Sequence, residues 1–461
     1  MISTGRAPDV DAGSPGSDDT EDRAITDVAG WLKKQRVDVL PTLRALGQLL
    51  VGISDGDASE TAECFTARCL GVTSDGRLLE EELSLNPVSR LTIALVLAEW
   101  IDTHAETCEI GSGEIDRPPK WTQTDIGGRR YRHPICLRVH FPAGTLVAET
   151  GCVIAIEARE SMVRSAEVSV FVTPTYHAQA RTIMERLVNR ANELNPYRGH
   201  AVRATHRLEI SFTPMTLPAG ATRETVIAPD AVWTEIDLSV RAVRDRHVLL
   251  NAHGLGARRG VLLCGPPGTG KSAISAVVAR ELVGDFTVIY VEARAGTELL
   301  SAVVHEARRL GGPVLLVLED VDLWCRDRAA GPSGLSELLQ AMDIEPQARI
   351  LTIASTNDAA TLDKAAIRTG RFDSVIEIGY PDRAVAGSIL RAQLRDIPGG
   401  PGVDVDAVVA ALPEHTSGSD IREIIRRAVL TVGSGDVDTA AVVAEVRAGR
   451  YLARVPTGLY L

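Results

Sequence analysis

The most informative part of this sequence is Gly265-Pro266-Pro267-Gly268-Thr269-Gly270-Lys271-Ser272. An apolar run at 260–264 before it is typical of a buried parallel strand, and a helical pattern at 273–282 follows it. Glycines between a strand and a helix let the backbone curl around a phosphate, so that N–H groups and the positive end of the helix face its oxygens. In this context we expect Lys271 to reach the β- and γ-phosphates of a nucleotide and the Ser272 hydroxyl to bind Mg²⁺. The sequence therefore predicts a nucleoside triphosphate site.

Strands and helices alternate after about residue 226. Further strands are predicted at 287–292, 314–318 and 350–355, with helices at 299–310 and 335–342 between them. Beyond residue 382 the strands cease, and four helical stretches follow at 384–394, 405–412, 421–432 and 440–448. This order predicts an α/β fold, a P-loop NTPase parallel sheet with a helical lid.

Polar residues follow two of these strands. Glu319 and Asp320 come after strand 314–318, and Asn357 follows strand 350–355. Because ligands bind at the carboxyl ends of strands in an open α/β sheet, we expect the acids to face Mg²⁺ and the attacking water, and the amide to orient that water. Arg368 and Arg371 lie in a polar turn, from which they could stabilise transition-state charge in cis or from a neighbouring subunit. The alternatives are acids that cap a loop and arginines that are solvated at the surface.

Gly418 and Ser419 open a helix of the predicted lid. The N-terminus of that helix can face the nucleotide, because its N–H groups favour an anion. Plain helix capping by Ser419 or Asp420 is the alternative, and both can hold together.

These motifs carry a resemblance. The run from Val261 to Ala428 resembles the AAA ATPase module of the AAA+ superfamily, because the loop above, Ser355-Thr356-Asn357, Gly370-Arg371-Phe372-Asp373, Tyr380-Pro381-Asp382-Arg383 and Gly418-Ser419-Asp420 occur in the family's order and spacing. The resemblance implies ATP hydrolysis with Mg²⁺ by a ring, usually hexameric, that remodels or threads a macromolecule.

The same resemblance assigns roles to single residues. Lys271 and Ser272 match the residues that hold phosphate and Mg²⁺, and Asn357 matches the first sensor. Two arginines, Arg368 and Arg371, match the fingers that complete a neighbouring subunit's site. Gly418 and Ser419 match the second-sensor position of this branch, which has no arginine there.

The chain departs from the family pattern at the acidic strand end. Most relatives have Asp-Glu, with Asp for Mg²⁺ and Glu as the base, whereas this chain has Glu319-Asp320. The same order resembles that of the mitochondrial AAA translocase of the Rieske protein. By position Asp320 is the base and Glu319 the Mg²⁺ ligand, but the shorter side chain of Asp320 keeps Glu319 open as the base.

A second departure concerns the segment that grips a threaded chain in relatives. That segment, 292–298, carries no aromatic residue here, and the nearest, Tyr290, lies within a predicted strand. This disfavours threading by an aromatic grip.

The N-terminal half carries no motif that we can assign. We predict a disordered acidic tail at 1–24, a helical segment at 25–110 and a small α+β domain at 120–216, followed by the ATPase core at 226–380 and the helical lid at 381–461. Five histidines in or near 120–216 lack metal-ligand spacing.

Composition limits the function classes. The net charge of −12 argues against a general attraction to nucleic acid or anionic lipid. The seven cysteines are scattered, which is typical of reduced thiols in the cytoplasm. The start of the chain has no signal-peptide pattern, and the most apolar stretch, 91–101, is too short for a membrane span.

Two functions remain open. The first is a cytoplasmic ATPase that forms a ring, a homo-oligomer, and remodels an unidentified protein partner recruited by the N-terminal half. The second is a slow-hydrolysing ATP-dependent switch or scaffold, which the exchanged acids and the missing aromatic favour. A nucleic-acid motor is disfavoured by the acidic balance and the absence of a basic stripe.

Overall fold

The computed structural model describes residues 60–72, 77–113, 117–157, 166–206, 209–291, 297–322, 347–357 and 372–452. Arg368 and Arg371 lie outside the described residues, as do the predicted acidic tail, the first part of the predicted helical segment, the predicted helix at 335–342 and residues 292–296.

Within the described residues there are two sheets, and the first has six antiparallel strands. They are β1 (Leu79–Leu85), β2 (Glu109–Gly111), β3 (Lys120–Ile126), β4 (Arg129–Phe141), β5 (Cys152–Glu157) and β6 (Ala166–Val172). Their order is β1-β6-β5-β4-β2, and β3 pairs with the first part of β4. The buried central strand, β5, reads Cys-Val-Ile-Ala-Ile-Glu and has both faces covered.

Three of the helices in the described part of the chain pack against this sheet. They are α1 (Ala62–Cys69), α2 (Pro87–Thr103) and α3 (His177–Glu193). Asn86 caps α2, because its side-chain oxygen accepts hydrogen bonds from the N–H groups of Val88 and Ser89, both at 2.9 Å. Helices α2 and α3 bury apolar side chains against β4, β5 and β6, which forms the core of this layer.

In the part of the chain that the structure describes, the second sheet has seven strands. They are β7 (Ala201–His206), β8 (Ile210–Pro214), β9 (Arg259–Cys264), β10 (Thr287–Val291), β11 (Val314–Leu318), β12 (Ile350–Thr356) and β13 (Ser374–Glu377). Their order is β13-β9-β12-β11-β10-β7-β8, and every pairing is parallel except that of β7 with β8. Strands such as Val-Leu-Leu-Val-Leu of β11 are apolar on both faces because helices cover both sides of the sheet.

Among the described helices, α4 (Asp230–Arg244), α6 (Lys271–Leu282) and α7 (Thr297–Leu310) flank the second sheet, and the short α5 (His247–Ala252) follows α4. Apolar residues of α4 and α6 pack on one face, and those of α7 pack on the other. The lid has its own core and consists of α8 (Arg383–Leu394), α9 (Val405–Ala411), α10 (Gly418–Val432) and α11 (Thr439–Ala448). The predicted α/β P-loop fold with a helical lid is confirmed. Among the described helices, none has both the length and the apolar character that a bilayer span requires.

Hydrogen bonding crosses two of the predicted domain limits. Strand β7 lies within 120–216, yet residues 201–204 pair with residues 288–291 of β10 in the ATPase sheet. Strand β1 lies within the predicted helical segment 25–110, yet it pairs along its whole length with β6. The run Leu-Glu-Glu-Glu-Leu-Ser-Leu of β1 has only three apolar residues, so its strand pattern is weak in the sequence. The domain limits stay a prediction, but the strands are shared across them.

Candidate functional site

The loop between β9 and α6 needs three of its glycines. Gly265, Gly268 and Gly270 have φ angles of 149°, 80° and 104°, a region that side chains rarely adopt. A Cβ atom at Gly265 would lie 2.1 Å from the Ile378 carbonyl oxygen, and one at Gly268 would lie 2.1 Å from Ser419 Oγ. The tight curl of the loop therefore requires glycine at these three positions, and its close packing requires glycine at 265 and 268.

Lys271, the first residue of α6, turns its amine back over the loop. The Nζ atom donates to the carbonyl oxygens of Gly265 at 2.7 Å and Pro266 at 2.8 Å, and the residue is only 6% exposed. Burial lowers the pKa of Lys271, while the nearby carboxylates of Asp320 and Asp322 act in the opposite direction. The cation is held at the loop by neutral acceptors, for which a charged phosphate oxygen is a stronger replacement.

The ends of β11 and β12 bring an acid and an amide together. These strands are parallel neighbours, with Leu318 opposite Ala354. Asn357 Nδ2 donates to Asp320 Oδ1 at 3.2 Å, and Asp320 N lies 3.3 Å from Ser355 Oγ. Asp320 has a φ of 51°, a left-handed conformation that a non-glycine residue adopts at a cost. The chain thus turns sharply after β11 and holds this carboxylate beside the amide.

Asp322 is a second acid at this edge; it belongs to the acidic strand end that the sequence predicts to face Mg²⁺ and water, but sequence reasoning assigned it no role of its own. It is 2% exposed, and its Oδ1 accepts from Thr356 Oγ1 and from Asn357 N, both at 3.2 Å. It therefore fixes the backbone that carries the Asn357 side chain. Its position two residues after Asp320 in the acidic run was the available signal.

The lid touches the loop directly. Ser419 N, at the start of α10, donates to the Gly268 carbonyl oxygen at 3.0 Å. The helix is capped by Ser417 and not by Ser419: Asp420 N donates to Ser417 Oγ at 3.2 Å, and Ser417 N donates to Asp420 Oδ2 at 2.8 Å. Capping and contact with the loop therefore hold together, as the sequence allowed.

A cavity of about 370 Å³ opens between the loop and the lid. Its phosphate-loop side is formed by residues 267–273, with Asp320 and Asn357 beside them and Gly418 and Ser419 opposite. The remaining lining residues are Thr225, Val226, Ile227, Ile389, Gln393 and Arg422, which the sequence did not single out. A cavity with an apolar wall at one end and convergent polar groups at the other fits a nucleotide.

The residues at the polar end also fit Mg²⁺. Ser272 and Asp320 both line the cavity and offer the hard oxygen ligands that this ion prefers. Glu319, the Mg²⁺ ligand expected by position, lies one residue earlier and does not line the cavity. Arg368 and Arg371 lie outside the described residues.

A glycine-rich phosphate loop before a helix, with an acid and an amide at the ends of the adjoining strands, defines a P-loop nucleotide-binding protein. The family model of the "ATPase family associated with various cellular activities (AAA)" matches residues 261–380. The match covers 120 of the 461 residues and identifies an AAA ATPase domain within the chain.

Similar proteins include several from bacteria. The ATP-dependent zinc metalloprotease FtsH 4 of Sphaerobacter thermophilus is 35% identical over 196 residues, which is 39% of this chain and 29% of that protein. FtsH 3 of the same organism is 35% identical over 193 residues, 38% of this chain and 39% of that protein. FtsH of Cupriavidus metallidurans is 34% identical over 192 residues, 38% of this chain and 29% of that protein. The match thus spans between 29% and 39% of these relatives' own lengths.

Proposed function

We propose that this chain binds ATP with Mg²⁺ in the cavity and hydrolyses it. The observation that carries the proposal is the Asp320 carboxylate, held by Asn357 Nδ2 at 3.2 Å in the same cavity as Lys271 and Ser272. A phosphate-binding cation and a positioned carboxylate on one wall are the two groups that attack of water on a γ-phosphate requires.

Each residue has a distinct task in this proposal. Lys271 exchanges the loop carbonyls for the β- and γ-phosphate oxygens, and the N–H groups of the loop bind the same phosphates. Ser272 would hold Mg²⁺, with Glu319 as the second ligand that its position in the acidic run predicts, and the ion would neutralise charge on the phosphate oxygens. Asn357 orients the attacking water.

Asp320 is the better candidate for the base. Its carboxylate lines the cavity and is oriented by Asn357, whereas Glu319 does not line the cavity. The proposed roles of Gly418 and Ser419 are to close the lid on the loop, since Ser419 N already donates to the Gly268 carbonyl oxygen. Arg368 and Arg371 are proposed to act on the site of a neighbouring subunit.

We further propose a cytoplasmic homo-oligomeric ring, hexameric as in the family, that remodels a protein partner. The N-terminal sheet, which has a core of its own, is proposed to recruit that partner. The second candidate function is an ATP-dependent switch or scaffold with slow hydrolysis. It is supported by the exchanged acids Glu319-Asp320 and by the absence of an aromatic residue from the sequence of 292–298.

The test is the steady-state ATPase rate per subunit, measured against protein concentration. We expect a rate that rises with concentration, because sites shared between subunits form only in the assembly. Asp320→Asn should lower the rate at least ~100-fold, and Glu319→Gln by less than about tenfold, since catalysis by a positioned base is lost only in the first. Lys271→Ala should abolish ATP binding, with Lys120→Ala on β3 as the matched control.

Either function can fail in this experiment. A negligible rate that does not depend on concentration, together with tight ATP binding, would favour the switch over the ring ATPase. Unchanged ATP binding in Lys271→Ala would contradict the site itself.

A further inference from the structure

Three side chains capable of binding a metal ion meet away from the nucleotide cavity. They are Cys69 at the end of α1, Glu109 at the start of β2 and His140 near the end of β4, and we call them the Cys-Glu-His cluster. One ligand atom from each lies within 4.8 Å of the other two. None of the three residues lines the nucleotide cavity, so the cluster is independent of the ATPase proposal.

The backbone places two of these residues side by side. Glu109 is directly opposite His140 in the antiparallel pairing of β2 with β4, so both side chains project from the same face of the sheet. Arg138, two residues before His140, projects from that face too. Its guanidinium donates to the Ala62 carbonyl oxygen at 3.0 Å and to Thr66 Oγ1 at 2.7 Å. These bonds hold α1 over β4.

The end of α1 then supplies the third group. Cys69 Sγ lies 4.0 Å from Glu109 Oε2, which is the distance of a weak thiol-to-carboxylate hydrogen bond. The neighbouring Arg68 donates to the same carboxylate, at 2.6 Å to Oε1 and 3.2 Å to Oε2. Because the hydrogen bond from Arg68 to Oε1 is the shorter of the two, Oε2 is the oxygen that could bind a metal ion while Oε1 stays bonded to Arg68. An arginine that binds the second oxygen would then fix the orientation of the ligating carboxylate.

From this placement we propose that the Cys-Glu-His cluster binds a zinc ion. A thiolate, an imidazole and a carboxylate are the three donor types that Zn²⁺ accepts, and the mixed set does not suit Mg²⁺ or Ca²⁺, which take oxygen ligands. Three protein ligands are one fewer than in a closed structural site, so the fourth position is left to water or another ligand. The ion would join α1, β2 and β4, which are remote in sequence.

The test uses the full chain without nucleotide and Zn²⁺ alone as the probe, in competition with a chromogenic chelator. We expect one zinc ion per chain at this site, and at least ~10-fold weaker binding in both Cys69→Ser and His140→Gln, since each removes one ligand. Cobalt(II) should give a thiolate-to-metal absorption band in the wild type that is lost in Cys69→Ser.

The matched control is Cys64→Ser, which removes an exposed thiol from the same helix. It should bind zinc like the wild type. Circular dichroism checks that each variant is folded. If one of the two ligand variants, Cys69→Ser or His140→Gln, does not fold, the other is sufficient for the test. The proposal is overturned if the wild type binds no zinc in competition with the chelator, or if a folded Cys69→Ser or His140→Gln chain binds it as tightly as the wild type.

Discussion

At the scale of single residues, both the backbone conformation and the close packing at position 268 require glycine, and the effects of the two requirements can be measured separately. Its φ is 80°, and a Cβ atom would lie 2.1 Å from Ser419 Oγ and 2.7 Å from Ser417 Oγ. Gly128, in the turn between β3 and β4, has a φ of 79° but nothing within 4 Å of its Cβ position. The two glycines therefore share the backbone strain and differ only in crowding.

We predict that Gly128→Ala loses about 1–2 kcal/mol of unfolding free energy through left-handed strain, and that Gly268→Ala loses more, because its Cβ atom also clashes with Ser419 and Ser417. Only Gly268→Ala should also weaken ATP binding, by about tenfold or more, because its methyl group pushes Ser419 away from the loop. Chemical denaturation and nucleotide titration measure the two effects. Wild-type ATP affinity in Gly268→Ala would show that the lid contact does not matter for binding.

The sequence could predict those site residues whose positions follow from the order of strands and helices next to them. The phosphate loop lies between one strand and the next helix, and Asp320 and Asn357 lie just after strands. All three therefore meet at the carboxyl edge of the parallel sheet. By contrast, Val226, Gln393 and Arg422 reach the cavity from segments without a motif. Only the packing of the lid against the loop decides that they belong to the site.

At the scale of elements, the sequence predicts strands better than it predicts their partners. Alternation of apolar and polar residues indicates β4, β5 and β6 of the first sheet but not β1, β2 or β3, and it does not say which edge a strand will join. Strand β7 joins the edge of β10, where Gly199 N also donates to Thr287 Oγ1 at 3.0 Å. A long-range contact of this kind leaves no periodicity in the sequence, and for this reason the predicted limit at 216 runs between strands of a shared sheet.

The hairpin of β3 and β4 contains a histidine that should make stability depend on pH. His133 is 3% exposed, its Nδ1 donates to the Pro134 carbonyl oxygen at 3.2 Å, and its Nε2 accepts from Thr124 Oγ1 at 3.0 Å. Burial lowers the pKa of His133, and the positive charge of Arg90 lowers it further. The unfolded chain therefore takes up a proton at a pH at which the folded hairpin stays neutral.

Because the unfolded state binds more protons, the free energy of unfolding should fall as the pH drops below about 6.5. Above that pH the protein should keep the whole stabilising contribution of the neutral His133. His133→Gln keeps a hydrogen-bonding side chain that does not titrate. We expect this variant to be less stable than the wild type at about pH 7.5 and the gap to narrow at about pH 5.5, as measured by urea denaturation. The exposed His177→Gln is the control. A stability gap that stays constant with pH would contradict the assignment.

At the scale of the whole molecule, side chains of α2 connect the two sheets. Asn86 Nδ2, at the start of α2, donates to Glu306 Oε1 of α7 at 2.6 Å. Val88 and Leu91 of α2 pack in the same apolar cluster as residues of α7 and of β7 to β12. Arg198 Nε, ahead of β7, donates to the Leu310 carbonyl oxygen at 2.7 Å. Helix α2 packs into both apolar cores, because its Ile93 and Leu97 lie in the core of the first sheet, and we therefore predict that the two sheets unfold in one cooperative step.

Nucleotide binding should therefore protect a strand that it does not touch. A ligand at about 100 times its Kd stabilises the folded state by about 2.7 kcal/mol. Amides that exchange only when the whole protein unfolds should then exchange about 100-fold more slowly. In hydrogen-exchange mass spectrometry with ADP, we expect the buried amides of β5 in the first sheet to slow by the same factor as those of β9. Lys271→Ala should abolish both effects, since it removes the nucleotide and leaves the fold. If β9 slowed with ADP while β5 exchanged as before, the sheets would open separately, and the N-terminal layer could not sense the nucleotide through the stability of a common core.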